Sequence, residues 1–113
     1  MKASVIITTR NRSHLLMTRS VPSVLNQTFQ DFEIIIIDNH SQDNTTEQVK
    51  KLMRFSKKHI SYYRWEEERT LAYNRNAGVE KAHGEYIVWL DDDDAFMPNY
   101  LEEMIPTLDA LPP

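Results

Sequence analysis

Tyr86-Ile87-Val88-Trp89-Leu90 runs without a break into Asp91-Asp92-Asp93-Asp94. Five apolar or aromatic residues in succession carry no helical spacing, and such a run reads as a strand buried on both faces, as in a parallel sheet. The four aspartates at its C-terminal end would repel one another unless solvent or a cation screened them, and open α/β sheets place their ligands at such strand ends. A solvated acidic turn is the plainer alternative, since charge runs are commonly exposed loops. The flanks favour a positioned loop. Gly84 stands where a left-handed residue would end a preceding helix, and Pro98 where a new helix would open.

Working outward from this stretch, Ser4 to Thr8 is a β-branched run of strand type. The polar loop Thr9-Arg10-Asn11-Arg12 follows, with Ser13 as the expected N-cap of a helix from about His14. Met17, Val21, Val24 and Leu25 keep helical spacing, but Pro22 has no N–H to donate to Thr18, so a kink or restart capped by Ser20 or Val21 is expected. Glu33-Ile34-Ile35-Ile36-Ile37-Asp38 is the strongest strand signal and should be central, because only a sheet covered on both faces hides four isoleucines. A polar loop over 39–46, dense in capping residues, leads to a helix with Val49, Leu52 and Met53 as its apolar stripe. Ser61 to Trp65 is a weaker third strand, and Glu66 to Arg69 a charged loop. Leu71, Asn74, Arg75, Gly78, Val79 and Ala82 then mark a helix over 70–83, with Gly78 inside it for close packing on the sheet or close approach of a ligand. A last helix from Pro98 to about Leu108 turns Tyr100, Leu101, Met104, Ile105 and Leu108 inward.

Strand and helix thus alternate four times, which defines an α/β fold, here one domain over residues 1–113. Right-handed crossovers make the sheet parallel, and double winding sets the first strand beside the last, for strand order 3-2-1-4 with helices on both faces. The loops after strands one, two and four then converge, bringing 8–12, 38–41 and 91–94 around one crevice.

Composition narrows the function. Hydrophobic residues make up 41% and charged residues 27%, the balance of a globular chain and far from that of a disordered one. A net charge of −4 gives no electrostatic reason to expect a nucleic-acid partner. Absence of cysteine removes disulfides, thiolate metal sites and thiol nucleophiles. No apolar run reaches the length of a transmembrane segment, and Met1-Lys2-Ala3-Ser4 leads straight into a strand, so a soluble cytoplasmic chain is expected. No GxGxxG or GxxxxGK[ST] loop follows any strand, so phosphate would be held without a glycine cradle. Asp91 and Asp93, alternating along an extended segment, would give a divalent cation such as Mg2+ or Mn2+ two oxygen ligands beside a diphosphate.

Several stretches together resemble the family 2 glycosyltransferases. They are Val5-Ile6-Ile7-Thr8-Thr9-Arg10-Asn11-Arg12, Ser23 through Ile34, Asp38 through Thr45, Arg75-Asn76-Ala77-Gly78, and Gly84 through Asp94 with Pro98. They stand in the family's order and cover residues 4 to about 103. The resemblance implies a Rossmann-like GT-A fold, a nucleotide-diphosphate-sugar donor (a UDP-, GDP- or dTDP-sugar) and Mn2+ or Mg2+ held by a D-x-D motif. By position it puts Thr8, Thr9 and Asn11 on the first donor loop, and Asp38 and Asn39 beside nucleobase and ribose. Asp91 and Asp92 would face ribose or metal, Asp93 would be the direct metal ligand, and Arg75 would reach the donor.

Two departures from the family bear on function. Asn39 stands where the family commonly has a second acid, which puts a uridine preference in question because an amide both donates and accepts hydrogen bonds. The acceptor-binding half of a GT-A enzyme, with its general base, is expected to be missing, so that the chain needs a partner domain or self-associates and transfers no sugar alone. No catalytic base or acceptor is identified. Glu102 and Glu103 read as solvent-facing, and His14, His40, His59 and His83 share no metal-ligand spacing. A non-catalytic nucleotide-sugar-binding module is the alternative. A phosphoryl-accepting receiver fits less well, as no lysine follows Lys81.

Overall fold

The computed structural model describes residues 1–112. Four parallel strands, β1 (Ala3–Thr9), β2 (Phe32–Asp38), β3 (Ile60–Arg64) and β4 (Tyr86–Asp91), form one sheet in the order β3-β2-β1-β4, as the alternation and the crossover rule require. In the β1–β2 register Ile6 lies beside Ile35 and Thr9 beside Asp38, and in the β1–β4 register Thr8 lies beside Asp91. The ends that carry the polar loops are therefore level.

The isoleucine run divides between two faces. Ile34 and Ile36, with Val5, Ile7, Val88 and Leu90, pack under side chains from the helices that follow β1, β2 and β4, among them Leu16, Val24, Val49, Leu101 and Ile105. Ile35 and Ile37 turn the other way with Ile6, joined by Tyr63, Trp65, Ala82 and Ile87. Helices α3 (Thr45–Phe55) and α5 (Tyr100–Asp109) belong to the first face, and α4 (Leu71–Lys81) lies against β1 and β2 on the second. Both faces are covered, but unevenly.

That unevenness corrects the reading of 86–90 as buried on both faces. β4 is an edge strand, and Trp89 is 44% exposed while its neighbours Val88 and Leu90 are buried. Along α4, Leu71 and Val79 of the helical pattern face solvent, and the buried positions are Asn74, Ala77 and Gly78. Met53 of α3 likewise stays exposed.

Pro22 does not break the first helix. α1 (Ser13–Leu15) widens into a π-helical turn over Leu16–Ser20 and continues as α2 (Val21–Leu25), with the Val21 N–H bonded to the Leu16 carbonyl five residues back. A wider turn ahead of proline accommodates the missing donor at Pro22 without ending the helix. Ser13 is not the N-cap either. It is already helical, and its N–H is received by Oδ2 of Asp43 at 3.1 Å, while Oδ1 of Asp43 accepts from the Thr45 N–H at 3.0 Å. One carboxylate thus serves the first turns of two helices.

Both glycines are explained by contact rather than by left-handed backbone, for no glycine among the described residues has positive φ. This overturns the left-handed cap expected at Gly84. A Cβ there would sit 2.5 Å from the Ala3 carbonyl carbon and 2.6 Å from the Ser4 nitrogen, backbone atoms of β1 that cannot move aside. A Cβ on Gly78 would meet Ile6 Cγ2 at 2.6 Å, so helix–sheet packing accounts for it and no ligand is needed. Gly84→Ala is expected to lower stability by about 2–3 kcal/mol through overpacking, read as a shift of the urea midpoint at unchanged slope. A wild-type midpoint would mean that the entry to β4 is free to move away from β1.

Candidate functional site

The loops that leave β1, β2 and β4 meet at the C-terminal edge of the sheet, and side chains tie them together. Thr9, 3% exposed at the end of β1, donates its hydroxyl to Oδ2 of Asp92 at 2.8 Å, and Asp92 is itself buried. Arg12 then reaches Oδ1 of Asp92 at 3.2 Å and Oδ2 of Asp93 at 3.3 Å. The guanidinium offsets the repulsion between neighbouring carboxylates that the bare sequence implies. Arg19 donates to the Asp93 carbonyl at 3.2 Å, and the Asp94 N–H closes a turn onto the Asp91 carbonyl at 3.1 Å.

This turn corrects the extended geometry expected of the acidic run: the strand stops at Asp91. Turning buries Asp92 and leaves Asp91 and Asp93 exposed on either side of it, so the alternation expected of a strand is kept by another route. Asp92 is accordingly engaged by protein groups, Asp93 shares Arg12 with it but stays half-exposed, and Asp91 faces solvent.

The β1 and β2 loops are joined through Asn11 and Ser41. Asn11 adopts φ 52°, a left-handed conformation that asparagine tolerates better than most residues. Its N–H donates to Ser41 Oγ at 2.9 Å, and its Oδ1 accepts from the Gln42 N–H at 2.6 Å. Asp38 is fully buried beneath this junction. One carboxylate oxygen accepts the Ser41 N–H at 2.9 Å and the other accepts the Tyr62 hydroxyl. Burial foremost, and then donation to Asp38, pushes the Tyr62 phenol up from its usual value. Asp38 therefore shapes the second loop from below and has no surface of its own to offer a ligand, contrary to the expectation that it flanks the base or ribose.

The third wall comes from a loop that the sequence reading left out. After β3 the chain turns back over the crevice through Trp65 to Thr70, where Thr70 caps α4 by accepting the Tyr73 N–H at 3.1 Å. The carboxamide of Asn39 grips this loop: its Nδ2 donates to the Arg69 carbonyl at 3.0 Å and its Oδ1 accepts the Arg69 N–H at 2.8 Å. Glu68 forms an ion pair with Arg10 across the opening. The resulting crevice, of about 540 Å³, is lined by Thr8, Thr9, Asn39 and Asp92 of the expected site residues. Its lining also includes Arg10 and Arg12 of the 8–12 loop already expected there, and Arg69, Thr70 and Asn74 beyond β3, which sequence reasoning did not place at the crevice. A signal for them was present, because all parallel strands end on the same edge, so the loop after β3 has to emerge there too.

Arg75 is not part of this lining. It lies on α4 with its guanidinium 5.8 Å from the centre of the Trp89 ring. Asn74, one residue earlier, is buried toward the crevice and accepts from the Trp65 indole at 2.5 Å. Among the described residues no three His, Asp or Glu side chains converge into a ready-made cation cage. No helix there is long and apolar enough to cross a membrane.

A doubly wound parallel sheet with a polar, arginine-lined crevice at the C-terminal ends of its strands defines a Rossmann-like class of fold. The chain belongs to glycosyl transferase family 2, whose model matches residues 4–113. It is 33% identical over 104 residues to the GalNAc(5)-diNAcBac-PP-undecaprenol beta-1,3-glucosyltransferase of Campylobacter jejuni subsp. jejuni, covering 92% of this chain. The chain spans well under half the length of the curated relatives it matches, 33% in this case. Among solved structures it resembles S. aureus TarS 1-349 in complex with UDP-GlcNAc, with a TM-score of 0.85 at 26% identity over 96% of this chain and 31% of that one. It also resembles GalNAc-T7 with UDP, GalNAc and Mn2+, with a TM-score of 0.72 at 28% identity over 80% of this chain and 17% of that one. The four-stranded 3-2-1-4 sheet is thus of GT-A type.

Proposed function

We propose that residues 1–113 form one donor-binding unit that takes a nucleoside-diphosphate sugar into this crevice, for transfer of the sugar to an acceptor. The observation that carries the reading is the crevice lining: Arg10, Arg12 and Arg69 share it with Asp92, and the exposed Asp91 and Asp93 flank Asp92 in the chain, Asp93 paired with Arg12. Guanidinium groups suit the oxygens of a diphosphate. Relatives and structural neighbours named for glycosyl transfer and nucleotide sugars support the same reading. Thr8, Thr9 and Asn11 would line the path of the nucleotide. Asp92 would hold Thr9 and Arg12 in position for it. Action in the cytoplasm belongs to the same proposal.

The donor set fits a small, hard divalent cation. Mg2+ and Mn2+ take one or two carboxylates and complete their shell with water and substrate phosphate oxygens. Asp91 and Asp93 would be those carboxylates, and the Mn2+ in the GalNAc-T7 complex supports the choice of ion. When bound, the cation would supply charge neutralisation to the departing diphosphate. Arg12 already holds one oxygen of Asp93, so it would keep that carboxylate oriented and add positive charge beside the phosphates.

Calorimetric titration of UDP and of GDP, in Mn2+ and in excess EDTA, tests the reading. Binding of at least one nucleotide that strengthens on adding Mn2+ is the expected result. Equal affinity in EDTA would remove the cation bridge, and no binding of either would remove the nucleotide reading.

A further inference from the structure

We propose that Asn39 is a positioning residue that clamps the loop over residues 66–70 into place as a wall of the crevice, and does not itself select the nucleobase. The inference rests on the reading of the crevice as a nucleotide site. The reason lies in the chemistry of the carboxamide. A side-chain amide offers one donor and one acceptor with the same spacing as a peptide group, and Asn39 uses both on a single residue, Nδ2 to the Arg69 carbonyl at 3.0 Å and Oδ1 from the Arg69 N–H at 2.8 Å.

No other residue type of this size makes that pair. A carboxylate has acceptors only, so aspartate here would keep the Arg69 N–H but set an anionic oxygen against the Arg69 carbonyl. The base of the clamp is firm: the Asn39 N–H donates to the Thr9 carbonyl at 2.9 Å, directly after the end of the β1–β2 register. The loop begins equally firmly, with the Trp65 N–H on the Asp38 carbonyl at 3.2 Å. Between Trp65 and the Thr70 cap, the remaining tie to the opposite wall is the half-exposed ion pair of Glu68 with Arg10, a kind of contact that contributes little. Asn39 is therefore what holds Arg69 over the crevice, while Thr70 is fixed as the cap of α4. Once the loop is held, the Arg69 guanidinium stands 5.0 Å from the centre of the Tyr73 ring, and the Trp65 and Tyr73 rings meet edge to face at 5.5 Å.

The test compares Asn39→Asp, Arg69→Ala and the unaltered 113-residue chain by amide hydrogen exchange over 66–70 and by UDP and GDP titration in Mn2+. Asn39→Asp is expected to speed exchange in that segment about tenfold and to weaken UDP and GDP by the same factor, about tenfold, the equivalent of one net hydrogen bond. Arg69→Ala keeps the main-chain pair and is expected to keep its protection. Unchanged exchange over 66–70 in Asn39→Asp would overturn the clamp. A changed ratio of UDP to GDP affinity with protection intact would also overturn it, and would make Asn39 a base reader. If the unaltered chain binds neither nucleotide, the nucleotide reading fails while the exchange comparison still decides the clamp.

Discussion

Glu33→Ala is expected to lower the unfolding free energy by about 3 kcal/mol at neutral pH, a large part of the stability of a domain this size. Glu33 is fully buried at the start of β2, beside its register partner Ser4. One carboxylate oxygen accepts from the Ser4 hydroxyl and from the His83 N–H, both at 2.6 Å, and the other lies 3.0 Å from Nδ1 of His83. Ser4 Oγ in turn accepts the Gly84 N–H at 2.8 Å. The carboxylate thus anchors the turn that delivers the chain into β4. Its removal strands a buried hydroxyl and a main-chain donor together.

The pH dependence of this anchor has a definite sign. Burial pushes the Glu33 carboxyl up, but the bonds from Ser4 and from the main chain and ring of His83 together outweigh it and hold the carboxyl below its ordinary 4.5. A carboxyl lowered in the folded state contributes stability that is complete above its unfolded value and is lost as pH falls through the folded one. The native chain should therefore lose this contribution below about pH 4.5, and Glu33→Ala should show a flatter stability profile there. Urea unfolding from pH 7 down to pH 3 measures both, and parallel profiles for the two proteins would show that the anchor is not ionised in the fold.

Asp93→Ala and Asp91→Ala are each expected to weaken Mn2+-dependent nucleotide binding by about 100-fold or more, since even groups one shell removed from a metal change its affinity by 10–100-fold. Asp94→Ala should change it by less than about 3-fold, because Asp94 is exposed and its carboxylate contacts only its own loop, accepting the Ala95 N–H. Asp92→Ala is expected to act differently. It unpairs the buried Thr9 hydroxyl and leaves Arg12 with Asp93 alone, so it should lower both thermal stability and metal-free nucleotide binding. Calorimetry in Mn2+ and in EDTA, with a melting curve for each variant, separates the two patterns. Equal losses for Asp93→Ala and Asp94→Ala would mean that general negative charge, and not a ligand position, governs the cation.

Much of the architecture is written in local patterns. Four isoleucines in a row at 34–37 fit no amphipathic surface and require a two-sided interior strand. With three further short apolar runs and helical spacing between them, the handedness of crossovers leaves few topologies, and the observed order is among them. The family's motifs were legible for the same reason: loops at the C-terminal strand ends carry their polar residues in contiguous stretches, such as 8–12 and 91–94.

What tertiary structure decided is which polar atoms are used up inside the fold. Asp38 and Asp91 look equivalent as acids at strand ends, yet Asp38 is sealed beneath Ser41 and Tyr62 while Asp91 faces solvent. Trp89 and Ile36 look equivalent within apolar runs, but the edge position of β4 leaves Trp89 exposed, with Arg75 over it. Glu33 and Asn39 gave no local sign of their roles, because their partners lie 50 residues away at His83 and 30 residues away at Arg69. Periodicity records the environment of a segment, and so the sequence by itself determined the layers and the edge at which a site forms. Hydrogen-bond satisfaction of single buried groups depends on residues distant in the chain, and only the packed structure determines whether such a group serves the fold or remains open to a ligand.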